Sequence, residues 1–263
     1  MTLCIAAPCL DKSKPRIVVS SDWRTELGTL LAAEVQNKVY WVFRGSWCVL
    51  IAGSVPSALS LLTTVRQSIN PKKLTRRSIE DELNKAVLTH KSKLTKRYVK
   101  SRHNVSLKYL RAHKSEFDKG AWTETLASIE KTNLDCSLII CTFMKSEPLV
   151  FEVTEDASVF RVERFAAIGS GSAVAGAILS FRQQHEELSL EETAYNVVEA
   201  TKFAKKARVP GVGKVHAFSV LSPKGKQRRL RQGGIRRLSK YFGKYGPQKI
   251  GELKLPRKNW EKF

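Results

Sequence analysis

The sequence predicts an α+β fold in which antiparallel sheets are covered by helices. Apolar runs of strand length cluster at residues 2–52 and again at 136–168, and helical text lies between the clusters and after the second. One last strand-like run, 215–221, follows the final helical stretch. Strands grouped in runs and separated by helix pairs do not describe βαβ crossovers; they describe antiparallel sheets with helices packed on them.

The elements follow in order. Residues 2–8 and 16–21 are short β-rich runs separated by the turn-prone LDKSKP, which reads as a hairpin. A second pair runs from 30–35 through Gln36-Asn37 into 38–43. Residues 47–52 (WCVLIA) form a continuous apolar run, as expected of a strand buried on both faces. Gly53-Ser54 ends it, and Pro56 in a first turn opens a helix over 57–67 with Leu59, Leu62 and Val65 on one face. From 74 to about 120 the chain is basic and helical, with helices over 78–96 and 105–117. Strand character returns at 136–144, 149–153, 159–163 and 165–168, the last running into Gly169-Ser170-Gly171-Ser172. An alanine-rich helix over 173–182 follows. Ser189 and Glu192 then form a capping-box signal for a helix over 191–207.

Composition narrows the classes. No run of 18 apolar residues supports a membrane-spanning helix, and the start MTLCIAAPCLDKSKP lacks the basic region and long apolar stretch of a secretory signal. The five cysteines (Cys4, Cys9, Cys48, Cys136, Cys141) are odd in number, show no CxxC spacing and lie mostly in apolar runs. They read as reduced, buried thiols of a cytoplasmic protein, with no disulfides, no metal site and no cofactor.

The chain carries 46 Lys+Arg against 24 Asp+Glu, a net charge of +22, and residues 222–263 alone hold 14 Lys/Arg and two acids. Dense in Gly and Pro and without sustained periodicity, 222–263 reads as a basic extension to a domain at 1–221, either flexible or docked on a neighbouring subunit or an acidic partner. Tyr241, Phe242, Tyr245 and Trp260 interleave with its cations, a pattern that also suits stacking on single-stranded nucleic acid.

Thr2 carries the chemistry. Removal of Met1 would leave a hydroxyl and a free α-amine (pKa about 8) on one residue. A threonine hydroxyl is a weak nucleophile until a base stands beside it, and an N-terminal amine can be that base.

Four further segments, in order, carry a family resemblance. They are Ser21-Asp22-Trp23-Arg24-Thr25-Glu26-Leu27-Gly28 after the second strand, Lys38 sixteen residues beyond Asp22, Ile51-Ala52-Gly53-Ser54 entering the first helix, and Ile168-Gly169-Ser170-Gly171-Ser172 entering a later one. Over residues 2–221 the chain resembles 20S-proteasome β-type subunits within the N-terminal-nucleophile hydrolases. It is more similar to self-contained bacterial proteasome-like proteins than to eukaryotic subunits.

The resemblance implies a four-layer αββα sandwich of two antiparallel sheets flanked by helices. It also implies a threonine-type endopeptidase working through an acyl-enzyme on Thr2. Lys38 would favour the charged form of the hydroxyl, and Asp22 would pair with and fix Lys38. The Gly53 backbone N–H would hold the oxyanion. Ser170 would contact the N-terminal amine, a role that competes with a simple helix N-cap. Arg24, Gly169 and Gly171 would support the site. The implied partners are further copies of the chain in stacked rings of six or seven, protein or peptide substrates, and an ATPase unfoldase.

One element departs from the family pattern. Arg208-Val209-Pro210-Gly211-Val212-Gly213 has valine at two positions that are usually polar and support the N-terminus. A small-amide hydrolase, or an inactive subunit that scaffolds an assembly or binds nucleic acid through its basic extension, are the competing expectations.

Overall fold

The computed structural model describes residues 2–22, 25–27, 31–33, 38–43, 45–116, 118–207, 212, 216–223, 227–229 and 232–245. The long hairpin β1 (Cys4–Asp11) and β2 (Lys14–Asp22) turns at Lys12 and Ser13, both with positive φ. Two such residues give a tight turn the twist that flanking strands require. β10 (Ala166–Ile168) pairs with the other edge of β1, β11 (His216–Leu221) pairs with β2, and β12 (Gln227–Arg229) closes the sheet beside β11. All of these pairings are antiparallel.

The second sheet runs β5 (Val39–Val42), β6 (Trp47–Gly53), β7 (Cys136–Met144), β8 (Glu147–Val153) and β9 (Val159–Val162), again antiparallel throughout.

Strand alternation builds the layers, because successive side chains point to opposite faces. From the first sheet Cys4, Ala6, Ile17 and Val19 meet Leu50, Ile139 and Val150 of the second. On the outer face of the second sheet, Val49, Ile51, Ile140 and Phe151 pack against α1 (Val55–Ser68) and α2 (Ser78–His103) through Leu61, Val65, Leu83 and Val87. On the outer face of the first, Ile5, Ala7 and Val18 pack against α5 (Ser172–Phe181) and α6 (Leu190–Lys206) through Leu179, Val197 and Val198. The result is the expected four-layer αββα sandwich. Strands buried on both faces explain why WCVLIA is continuously apolar, and each fully buried Leu or Ile stabilises by about 1.5–3 kcal/mol.

The capping box at Ser189 and Glu192 forms as expected. Buried Arg182 donates from Nε to Glu199 Oε2 at 2.6 Å and from a second nitrogen to Oε1 at 2.8 Å, clamping the end of α5 to α6. Among the described residues no helix is long and apolar enough to cross a membrane.

Three element assignments change. β4 (Leu31–Ala33) pairs with β3 (Thr25–Leu27), not with 38–43, while β5 pairs with β6 across the turn at Phe43–Ser46. The helix expected over 105–117 is α3 (Leu107–Ala112) followed by a 3-10 turn, and α4 (Lys119–Glu130) was missed. Asp118, which accepts from Gly120 N at 2.8 Å, starts α4 despite the glycine. Lastly, the extension at 222–263 contributes β12 and a helix, α7 (Gln232–Tyr245), whose Leu238 is buried with Ile235 and Tyr241 beside it in the core under α6.

Candidate active site

Four backbone segments converge on Thr2. The residue lies two positions ahead of β1, and Asp22 N donates to Leu3 O at 3.2 Å, so the end of β2 is held alongside the start of the chain. Lys38 immediately precedes β5, and its carbonyl accepts from Ile51 N at 3.1 Å, which ties it to β6. Its ammonium donates to Asp22 Oδ1 at 2.9 Å and contacts Thr2 Oγ1. Thr2, Lys38 and Asp22 are 2%, 4% and 0% exposed. A buried ammonium is tolerated only when a carboxylate and further hydrogen bonds replace its water. The threonine hydroxyl therefore sits within a buried ion pair.

The third segment is Gly53, the last residue of β6, with φ +87°; a Cβ there would stand 2.6 Å from Asp135 O. Glycine lets the backbone of β6 turn sharply into α1, whose first turn is capped by Ser54 accepting from Ser57 N.

Gly169 belongs to the fourth. At φ +92° its missing Cβ would lie 2.2 Å from Thr2 O, so any side chain here would push the N-terminal residue out of place. Beside it, Ser170 Oγ and Gly171 N both donate to Thr2 O at 3.4 Å. The N-cap of α5 is Gly171, without a side-chain cap bond, so the serine of this turn reaches the Thr2 backbone and does not cap the helix. Val212 is buried against Gly171 and Leu3, an apolar support where a polar one was expected by resemblance. Arg24 and Val209 lie outside the described residues.

Thr2 and the Gly53 and Gly169–Ser170 segments border an open cleft of roughly 420 Å³, which Ser137, Glu152 and Glu155 also line. Ser137, Glu152 and Glu155 were missed from sequence. Strand alternation gives the face of one of them, though not its place in a cleft: Glu152 follows Val150 at a spacing of two, on the face that otherwise feeds the core between the sheets. Burial pushes the Glu152 carboxyl above its ordinary value. A larger hollow of roughly 910 Å³, bounded by Arg161, Arg164, Phe165, Gln183 and His185, contains none of the converging residues.

The cysteines do not compete with Thr2 as nucleophiles. All five are free and buried. Burial pushes the thiols of Cys4, Cys9, Cys48 and Cys136 up to about 12 and that of Cys141 well above its ordinary value, which keeps them protonated. Cys4, the thiol nearest the site in sequence, instead donates to Ile51 O at 3.5 Å.

No protein-family model matches this chain, and neither does any curated protein sequence. Solved structures do match. Anbu (ancestral beta-subunit) from Yersinia bercovieri superimposes with a TM-score of 0.61 at 13% identity, over 96% of this chain and 98% of that one. The Gly-1 mutant of Anbu from Hyphomicrobium sp. strain MC1 gives 0.63 at 15% identity, over 97% and 99%. These likenesses establish the fold. They also correct the resemblance drawn from the motifs, which pointed to 20S-proteasome β-type subunits and bacterial proteasome-like proteins, whereas these structural neighbours are Anbu proteins. The physical reason is that the short motifs encode local requirements, a positive φ at Gly53 and Gly169 and a buried ion pair at Asp22 and Lys38. Such requirements are local and do not by themselves identify a family. Over nearly its whole length the chain is similar in fold to Anbu.

Proposed function

We propose that this chain is a hydrolase that cleaves peptide bonds through Thr2 after removal of Met1. The observation that carries the proposal is the position of Lys38 Nζ, shared between Asp22 Oδ1 and the Oγ1 of Thr2, a residue that lines a cleft. In the proposed sequence the liberated α-amine accepts the hydroxyl proton, and Lys38 stabilises the oxygen as charge develops. Oγ1 then adds to the substrate carbonyl carbon. The oxyanion is held by backbone N–H donors on the cleft wall, Gly53 foremost, since rigid backbone dipoles cost little reorganisation. Collapse breaks the C–N bond, and the α-ammonium returns its proton to the leaving amine. Water, deprotonated by the same amine, cleaves the resulting ester and restores Oγ1–H. Ser170 and the Gly169 turn fix the Thr2 carbonyl and so aim its side chain.

Hydrolysis of a fluorogenic peptide panel by the Met1-processed chain, lost in Thr2→Ala, is the expected outcome. Retained hydrolysis in Thr2→Ala, or none with any peptide, would overturn the reading. The name of the structural neighbours, ancestral beta-subunit, supports a further proposal that copies of this chain associate with one another. Sedimentation of the purified protein should then show a species several times the 29.6 kDa chain mass; a monomer at all concentrations would contradict it.

A further inference from the structure

One wall of the Thr2 cleft is acidic, in a chain whose net charge is +22. β8 sends Phe151 and Val153 toward the helices and Val150 toward the opposite sheet. Glu152 follows Val150 on that second face, where the core between the sheets opens, and lines the cleft with Thr2, Gly53 and Ser137. Opposite it in the ladder stands Ile139, an apolar neighbour that gives the carboxylate no charge to pair with. Glu155, just beyond β8, lines the same cleft and is exposed. Glu152 is half-buried, and its burial disfavours the ionised form. A carboxylate desolvated in this way gains most from a cationic hydrogen-bond donor brought in by a ligand.

We propose that Glu152, with Glu155 at the rim, makes this cleft selective for peptides carrying a Lys or Arg side chain close to the bond that Thr2 attacks. The inference rests on the hydrolase reading for the nature of the occupant. Its sign is diagnostic, because the overall field of a +22 chain attracts acidic peptides and repels basic ones. Only a local feature can reverse that order.

The test uses the full-length Thr2→Ala protein and three fluorescein-labelled peptides that differ at one position, Arg, Leu or Glu. Anisotropy titrations are expected to show the Arg peptide binding about tenfold tighter than the Leu peptide, between the effect of an exposed ion pair and that of a fully buried one. Adding Glu152→Gln should bring that ratio to about one, and Glu155→Gln should reduce it less. An order of Glu over Leu over Arg, or an Arg preference that survives in the double Glu152→Gln/Glu155→Gln protein, overturns the proposal. Glu152→Lys keeps the test decisive if the Gln variant folds poorly, since it should invert the preference. In the Thr2-intact protein the Arg/Leu ratio of kcat/KM should follow the same pattern. Glu152-dependent Arg binding without any hydrolysis would leave this site standing and remove the hydrolase reading; hydrolysis indifferent to charge would do the reverse.

Discussion

Lys38 is held by two different obligations. Its charge must be balanced by Asp22 for the fold to tolerate it, and its Nζ must stay against Thr2 Oγ1 for the proposed chemistry. The two can be separated by mutation. Asp22→Ala leaves a buried ammonium without its carboxylate and should cost about 3–5 kcal/mol in denaturant unfolding. The double variant Asp22→Asn/Lys38→Met removes both charges and should recover much of that stability while remaining inactive on peptides. Recovery of activity with stability would show that the pair serves only the fold. The buried thiols give a second expectation. Folding raises four of them from an ordinary value of 9.0 to about 12, so the folded state keeps protons that the unfolded chain gives up. Their contribution is fully present below pH 9 and is lost as pH rises toward about 12. The urea midpoint should therefore fall between pH 8 and pH 10. Relief of self-repulsion in a chain of net charge +22 works the other way, so a midpoint that holds or rises would contradict the thiol account.

At the scale of elements, α7 connects the basic extension to the domain. Its apolar residues Ile235, Leu238 and Tyr241 recur every three residues, and Leu238 is fully buried against the core under α6. Leu238→Ala should cost about 2–5 kcal/mol in chemical denaturation, as for other buried leucines. A change near zero would mean that α7 is not part of the folded unit. The sequence shows no sustained periodicity here, because the apolar stripe is short and Gly233, Gly234 and Gly243 argue against a helix on propensity; tertiary packing overrides that preference. Glycine misled in the same way at α4, where Asp118 supplies a start signal just ahead of Gly120. The pairing of β4 escaped for a different reason. Turn composition at 36–37 suggested a hairpin, but composition at a turn does not choose the partner: β4 pairs with β3, and β5 stands at the edge of the second sheet beside β6.

Taken as a whole molecule, two helix layers and two sheets bring Thr2 against residues 38 and 169–171, with Asp22 paired to Lys38 and Gly53 on the same cleft. That assembly was legible because each participant is constrained by a local rule that shows in sequence: glycine where φ is positive, opposite charges where burial would otherwise be prohibitive. That Ser137, Glu152 and Glu155 form a cleft wall was not legible, since alternation gives Glu152 a face but only the stacking of the sheets brings β7, β8 and the turn after β8 to the site. In the proposed function Thr2 acts as an N-terminal nucleophile with its own amine as base. The measurement that bears on it most directly is intact mass and peptide mapping of the purified protein after treatment with a peptide epoxyketone, which needs both a hydroxyl and a free amine on one residue. The expected result is a chain lacking Met1 with a single adduct on Thr2, absent in Thr2→Ala. A mature chain that retains Met1, or an epoxyketone that never modifies Thr2, would contradict it.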